Sequence, residues 1–264
     1  MRRDVYIQND AGSWSVVVSE AVDQIIQDNR NQDDQFVQAF SAALFLIEGD
    51  DYSVIRIVAN ESLTDVEAAE WVGRIQWRIK TRDGNILISS GFDPDSLAEW
   101  QGEGETGYVK QITVPPGDYQ VSFYTYLHSM NGTVWLNYRS YRPEKPFPKL
   151  LSWFQQDYPD EPLPTWVVTQ LEDDDFPDAP SIAAAVQSGQ LAIHHQPVHW
   201  IGYLIHLLPF EPEMSLDTPE SGWFPTDMGL RVPIKCPLGI PTDCTDDHQV
   251  QSDLEWLFRS SIKS

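Results

Sequence analysis

The sequence predicts a mainly β protein, α+β overall: an antiparallel β-sandwich followed by a smaller, acidic α+β region. The first observation is the stretch 107–141, in which apolar and polar residues alternate on both sides of Asn131-Gly132. Asn and Gly accept the positive φ that a type I′ hairpin turn requires. The second is a similar pair of alternating segments around Asp83-Gly84. The third is a change of composition after Tyr141, where prolines interrupt the chain and basic residues become scarce.

The hairpin predicted across Asn131-Gly132 places Leu127 opposite Leu136. Successive side chains of a strand point to opposite faces, so one face of this hairpin is a core face. A strand from Tyr108 to Val114 precedes it, and the turn at 115–118 joins the two, which predicts a meander of three consecutive antiparallel strands. The core-face residues are Tyr119, Val121, Phe123, Leu127, Val134, Leu136 and Tyr138.

The segments Arg74–Thr81 and Asn85–Ser90 predict a second hairpin across Asp83-Gly84. Its apolar residues share one face, and a basic stripe occupies the other. Two interpretations of the stripe stay open, an internal lattice of salt bridges and a binding role, and we favour the lattice. The apolar face holds Ile75, Trp77, Ile79, Ile86 and Ile88, and the stripe holds Arg74, Arg78 and Lys80, with Arg82 at the turn.

Shorter signals place the remaining elements. Thr64 and Glu67 have the spacing of a capping box, which predicts a helix of about two turns. The apolar run from Phe36 to Ile47 fits a buried strand or a short helix, because periodicity does not separate them. Further strands are predicted at 5–7, 14–18, 53–59, 166–171, 228–234 and within 191–208, and helices at 149–155, 180–187 and 249–262.

We predict three regions: the sandwich at 1–141, a Pro-rich connection at 142–165, and an acidic α+β region at 166–264 that packs on the sandwich. The chain has 17 Lys+Arg against 40 Asp+Glu, a net charge of -23. Residues 1–145 hold 12 of these bases and 22 of these acids, which leaves five bases and 18 acids for residues 146–264. The smaller part is therefore the more acidic.

A net charge of -23 with a pI near 4.3 repels nucleic acid and anionic membrane surfaces, and it attracts a basic protein. We therefore expect a basic protein partner, with no nucleic acid and no membrane. The predicted partner-binding residues form one dense acidic loop. A surface adapted only for solubility or for salt remains the alternative. The loop residues are Glu172, Asp173, Asp174, Asp175 and Asp178.

The sequence carries no run long enough to cross a bilayer, and no apolar signal segment follows its first charged residues. Two cysteines do not make a disulfide framework. We therefore expect a cytoplasmic protein of bacterial type without a cofactor.

The histidines offer the main candidate metal site, since the spacing of Asp173, Asp174, Asp175 and Asp178 does not fit a calcium-binding loop. Four of the six lie between His194 and His206, and imidazole and thiolate groups are ligands of zinc. The downstream spacing matches no compact zinc motif, so ordinary buried cysteines are the favoured interpretation. A metal-dependent hydrolase is nevertheless the alternative function from a different class. Its candidate ligands are His194, His195, His199, Cys236, Cys244 and His248, with His206 in the same cluster.

The aromatic face of the central hairpin is a second candidate site. Tyrosine, tryptophan and arginine stack on sugars and dominate protein interfaces. Carbohydrate binding is therefore a third possible function, and burial of this face under other parts of the chain is the favoured alternative. No nucleophile elbow, phosphate loop or dinucleotide fingerprint occurs. The ligand-face residues are Tyr124, Tyr126, His128, Trp135 and Arg139.

Three short motifs carry a resemblance to a known group. They are the Trp-x-x-Arg strand at 71–74, the Gly91-Phe92-Asp93 loop, and the Pro-Pro-Gly-Asp-Tyr-Gln-Val run at 115–121. Together they resemble uncharacterised acidic bacterial β-sandwich proteins and the competence nuclease-inhibitor (ComJ-like) group, over at most 54–132. The resemblance implies an acidic inhibitor of a basic nuclease, with no catalytic residues. The leading expectation is therefore a non-enzymatic acidic binding protein, such as an inhibitor or immunity protein for a basic toxin or nuclease.

Overall fold

The computed structural model describes residues 1–9, 13–24, 37–38, 42–46, 51–90, 100, 107–126, 150–159, 161–163, 184, 188, 200–213, 216 and 240–242. Most of these residues lie in β-strands, with two short α-helices and one 3₁₀ turn, Ser19–Ala21. The strands are β1 (Arg2–Asn9), β2 (Ser13–Val18), β3 (Val37–Gln38), β4 (Ala42–Leu46), β5 (Asp51–Ala59), β6 (Trp71–Thr81), β7 (Asn85–Ser90), β8 (Val109–Thr113), β9 (Gly117–Tyr126) and β10 (Ile201–Pro209). The helices are α1 (Asp65–Glu70) and α2 (Leu150–Asp157).

The strands form two five-stranded sheets, which confirms the predicted mainly β class. The first sheet has the order β1-β5-β10-β9-β6, and the second has the order β3-β4-β2-β7-β8. Every pair is antiparallel except β5 with β10, which run parallel. The first sheet is therefore mixed rather than purely antiparallel, because β10 enters it from far along the chain.

The main hydrophobic core is built from side chains of both sheets. Isoleucine and valine make up most of it, and aromatic rings pack among them: the Tyr203 ring centroid lies 5.9 Å from that of Trp14 and 5.6 Å from that of Phe123. Full burial of one such side chain is worth about 1.5–3 kcal/mol. Tyr119, Val121 and Phe123 all belong to this core, as the alternation in β9 predicted.

The predicted hairpin across Asp83-Gly84 is wrong in its pairing. β6 pairs with β9 in the first sheet, whereas β7 pairs with β2 and β8 in the second. The five apolar residues of these strands do enter the core, but from two different sheets. The connection bends sharply because the Gly84 amide donates to Thr81 Oγ1 at 2.9 Å and Gly84 has φ of 80°. It is a corner between sheets rather than a hairpin turn.

The predicted meander is also wrong at its first connection. β8 belongs to the second sheet and β9 to the first, so the chain changes sheets at Pro115-Pro116. The prolines have no backbone N–H to donate to a neighbouring strand. Tyr119 fixes the bend by donating its hydroxyl to the Pro115 carbonyl at 2.6 Å. The Asn131-Gly132 turn and the Leu127–Leu136 pair lie outside the described residues, and that register stays a prediction.

Several local predictions are confirmed. Strands occupy 5–7, 14–18 and 53–59, and α2 begins one residue after its predicted start. The capping box is complete, since Thr64 and Glu67 each bind the other's backbone amide. The open choice at 36–47 is decided in favour of strands β3 and β4. β4 lies between two other strands, which fits a continuous apolar run.

The strand β10 comes from beyond the predicted boundary at 142–165. It lies at the centre of the first sheet, between β5 and β9, and its residues Ile201–Leu207 are buried. The sandwich is therefore not confined to residues 1–141, because one of its central strands comes from residues 201–209. The predicted division of the remaining chain stays a prediction. Among the described residues, no helix is long and apolar enough to span a membrane.

Candidate functional site

The outer face of the first sheet, the face turned away from the core, brings together charged residues that are far apart in sequence. Every second residue of its strands points to this face. Strand register aligns these residues in two adjacent rows across the sheet. One row is Arg2, Val58, His206, Ser122 and Gln76, and the next is Asp4, Arg56, Leu204, Tyr124 and Arg74.

Glu67 is the centre of an ionic network on this face. Its side chain is fully buried, and its carboxylate accepts hydrogen bonds from the guanidinium groups of Arg2 and Arg56. The Arg56 contact, from Nη1 to Oε1, measures 3.1 Å. The helix cap orients the carboxylate, because the Thr64 amide donates to Oε2 at 2.8 Å. The Glu67 carbonyl also accepts the Tyr126 hydroxyl at 2.9 Å, which fixes α1 to β9.

Asp4 and Arg56 extend the network towards a distant part of the chain. Arg56 donates Nε to Oδ1 and Nη2 to Oδ2 of Asp4, both at 2.7 Å. The Thr242 hydroxyl donates to the same Oδ2 at 2.6 Å. A guanidinium group that donates two parallel hydrogen bonds to the two oxygens of one carboxylate forms one of the strongest kinds of ion pair. The site therefore joins β1, β5, α1 and the segment 240–242.

The electrostatics keep this network ionised. Burial alone raises the pKa of Glu67, but the Thr64 amide and the two guanidinium groups outweigh it and hold that pKa below its usual value. Burial opposes ionisation of Asp4 too, yet Arg56 and Thr242 lower its pKa. The pKa of Arg56 is raised, because its two carboxylate partners outweigh burial. None of these groups is suited to exchanging protons near neutral pH.

His206 is the one member of the predicted histidine cluster that the structure describes. It is buried, and its Nε2 lies 2.8 Å from the Glu61 carbonyl oxygen, to which only a protonated nitrogen can donate. Burial lowers its pKa, although the bond to Glu61 acts in the opposite direction. The ring is therefore neutral at neutral pH, with Nε2 already engaged.

The zinc hypothesis stays a prediction. Within the described part of the chain, no group of three or more His, Cys, Asp or Glu side chains has the arrangement of a metal site. The other candidate ligands lie outside the described residues: His194, His195, His199, Cys236, Cys244 and His248. Elemental analysis of the purified protein tests the hypothesis. Less than roughly a tenth of an equivalent of zinc, with no thermal shift on adding it, would exclude the hydrolase alternative.

The basic stripe of β6 is largely engaged by its own chain. Arg78 forms a two-point ion pair with Asp118, whose Nε–Oδ1 distance is 2.7 Å, and its guanidinium lies 4.2 Å from the Phe210 ring centroid. Arg74 lies 5.3 Å from the ring centroid of Trp71. These contacts favour the internal interpretation of the stripe. Lys80 and Arg82 are exposed.

The predicted ligand face is described only in part. Tyr124 and Tyr126 are buried in a small apolar cluster on the outer face, beneath Ile240 and against Leu63 and Trp71. The remaining cluster members are Val58, Ile201 and Leu204. Outside the described residues lie His128, Trp135 and Arg139 of the ligand face and the predicted partner-binding residues Glu172, Asp173, Asp174, Asp175 and Asp178. Both predictions remain untested.

The fold and the site together define a mainly β sandwich with an internally paired, charged outer face. Comparison with protein-family models finds no match, and comparison with curated proteins finds none. Among solved structures, "Crocagin biosynthetic gene J" is similar at 12% identity and a TM-score of 0.38, over 80% of this chain and 98% of that chain. ComJ from Bacillus subtilis, an inhibitor of the DNA-degrading activity of NucA, is similar at 14% identity and a TM-score of 0.31, over 48% of this chain and 84% of its own.

The second of these structures is a member of the ComJ-like group that the sequence motifs resemble. Both TM-scores are below 0.5, and both identities are below 25%. Neither similarity therefore carries an argument about the function of this chain, which has to be inferred from its own charges and contacts.

Proposed function

We propose that this chain is a non-enzymatic binding protein for a basic protein, acting as an inhibitor or immunity protein towards a basic toxin or nuclease. One observation carries the proposal. On the outer face of the first sheet, Arg2, Arg56 and Arg78 are paired with carboxylates of the same chain. These three cations are thus already neutralised internally, while the whole chain keeps a net charge of -23.

The uncompensated negative charge lies mainly in the later part of the chain. Residues 146–264 hold 18 acidic residues and only five basic ones, so most of these carboxylates have no cation of their own region to pair with. Like charges at such density repel each other and destabilise a compact state. A basic partner relieves this repulsion, and it is also drawn to the surface by long-range attraction.

The chemistry of the described site supports binding more than catalysis. The pKa values of Glu67 and Asp4 are lowered, so both carboxylates stay ionised and cannot act as acids near neutral pH. Nε2 of the neutral His206 is occupied by a carbonyl oxygen. A general acid or base needs a pKa near the working pH and access to substrate. These groups instead hold the sandwich together.

Neutralising the acidic loop should slow association with the partner. We expect the triple change of Asp173, Asp174 and Asp175 to asparagine to lower the on-rate roughly tenfold at low salt and to flatten its salt dependence, with a smaller change in off-rate. The fold should survive, because repulsion is relieved. The measurement is surface plasmon resonance against the basic protein that the wild-type chain retains in a native pull-down.

The matched control removes the same charge from the sandwich. Asp65, Glu211 and Glu213 are exposed, and changing them to Asn, Gln and Gln also removes three negative charges. We expect a clearly smaller loss of on-rate from this variant. Equal on-rates for wild type and the loop variant at low salt would contradict the electrostatic account. Inhibition is tested separately, by titrating the captured partner's own activity with the chain, and undiminished activity at saturation would exclude an inhibitor.

A further inference from the structure

Three residues from the acidic region, Ile240–Thr242, contact strands of the sandwich that are far from them in sequence. We call these residues the strap. The Ile201 amide donates to the Ile240 carbonyl at 2.9 Å, and Pro241 forms a β-bridge with Trp200. The strap therefore extends the pairing of the chain at the start of β10, the central strand of the first sheet.

The first attachment of the strap is apolar. The Ile240 side chain is buried in the outer-face cluster that contains Tyr124 and Tyr126. Leu63 and Trp71, which flank α1, pack against the same cluster. Ile240 and the chain around α1 thus cover the described part of the aromatic face together.

The second attachment is polar, and it uses the Asp4–Arg56 pair as a latch. The Thr242 hydroxyl donates to Asp4 Oδ2 at 2.6 Å, and Arg56 Nη2 reaches both that oxygen at 2.7 Å and the Pro241 carbonyl at 3.5 Å. Both side chains of the latch are about 15% exposed, so solvent and salt screen these contacts only weakly. A neutral hydroxyl bound to a carboxylate makes a stronger hydrogen bond than one bound to a neutral acceptor.

We propose that the strap is a conformational latch, which holds the acidic region in the arrangement that receives the basic partner. This rests on the function proposed above. β10 anchors the region 166–264 within the first sheet, and the strap adds a second anchor beside the start of β10, so the chain that joins the two anchors forms a closed loop. A loop closed before the partner arrives leaves more of the binding energy for affinity. The coupling is reciprocal, so the bound partner also stabilises the latched state.

The Ile201 amide reports directly on the latch, because its acceptor is the strap carbonyl of Ile240. Changing Thr242 to Val keeps the shape of the side chain and removes its hydroxyl. We expect amide hydrogen exchange at Ile201 to become about tenfold faster, while exchange in β9 stays unchanged. Thr242→Ser should restore slow exchange. Thr113→Val is the matched control, since it removes a hydroxyl that donates to Asn85 Oδ1 on the second sheet.

The coupling is tested with the same variants and the captured basic partner. We expect Thr242→Val to raise the off-rate at least about threefold, and the bound partner to slow Ile201 exchange in the wild-type chain. Unchanged Ile201 exchange in Thr242→Val would overturn the latch. Faster exchange with unchanged partner kinetics would overturn the coupling. Failure of the wild-type chain to retain any basic protein would overturn the proposed function, while the exchange result would still decide whether the latch exists.

Discussion

Replacing Glu67 by glutamine is expected to lower the free energy of unfolding by about 3 kcal/mol. Glutamine keeps the volume of the side chain and one carbonyl acceptor. It removes the buried negative charge with which Arg2 and Arg56 are paired. Removing one partner of a buried ion pair is worth about 3–5 kcal/mol, and partial exposure of Arg2 places this case at the lower end. Urea unfolding followed by circular dichroism measures the difference.

The same variant should flatten the acid dependence of stability. Folding lowers the pKa of Glu67 from its ordinary value of 4.5, and it also lowers that of Asp4. The unfolded chain therefore binds more protons than the folded chain in acid. The stability from these groups is fully present above their ordinary pKa values and is lost as the pH falls through the lowered ones. Glu67→Gln removes one of these contributions, so its stability should fall less steeply below about pH 4.5.

The control for Glu67 lies on the same helix. Asp65 is an exposed acidic residue in the first turn of α1, and Asp65→Asn loses only a favourable interaction with the helix N-terminus. That interaction is worth less than about 1 kcal/mol. If Asp65→Asn destabilised the protein as much as Glu67→Gln, helix charge rather than the buried network would be responsible.

Local alternation was enough to locate strands. β9 directs Tyr119, Val121 and Phe123 into the main core, and this alternation of apolar residues is visible in the sequence although the other face of the strand is buried as well. The same pattern could not identify strand partners. A hairpin and a corner between two sheets both direct Ile79 and Ile86 into the core, so the alternation around Asp83-Gly84 is identical in the two cases. The partner of β9 on one side, β10, begins 75 residues after β9 ends, beyond the range of any turn signal.

The ionic network was predictable only at its local end. The capping box identified Thr64 and Glu67 from their spacing, but the burial of Glu67 depends on β1 and β5 being neighbours. One overlooked signal was Arg56, a single charge in the apolar strand Ser53–Ala59. A charge in such a position is half-buried, and it requires a partner. The sequence indicates that need, whereas the identity of Asp4 as the partner follows from the pairing of β1 with β5.

Replacing Gly84 by alanine is expected to destabilise the protein by about 3 kcal/mol or more. Gly84 has φ of 80°, a conformation that an L-residue adopts at a penalty of about 1–2 kcal/mol. A Cβ atom would also stand 2.0 Å from the Val114 carbonyl oxygen and 3.2 Å from its carbon. Relief requires the backbone between β8 and β9 to move. Gly107→Ala is the control, since its Cβ would meet only Gln8 Oε1 at 3.8 Å, an ordinary contact.

A third substitution distinguishes the corner from the hairpin that the sequence suggested. Asparagine tolerates positive φ, so in a hairpin turn Gly84→Asn would cost about 1 kcal/mol or less. In the corner, asparagine still places a Cβ against the Val114 carbonyl, and that carbonyl cannot retreat freely because the Val114 amide donates to the Gly84 oxygen at 2.9 Å. We therefore expect Gly84→Asn to be nearly as destabilising as Gly84→Ala in urea unfolding. Near-wild-type stability of Gly84→Asn would mean that steric contact with Val114 does not hold this connection, and that β6 and β7 are joined by an ordinary turn.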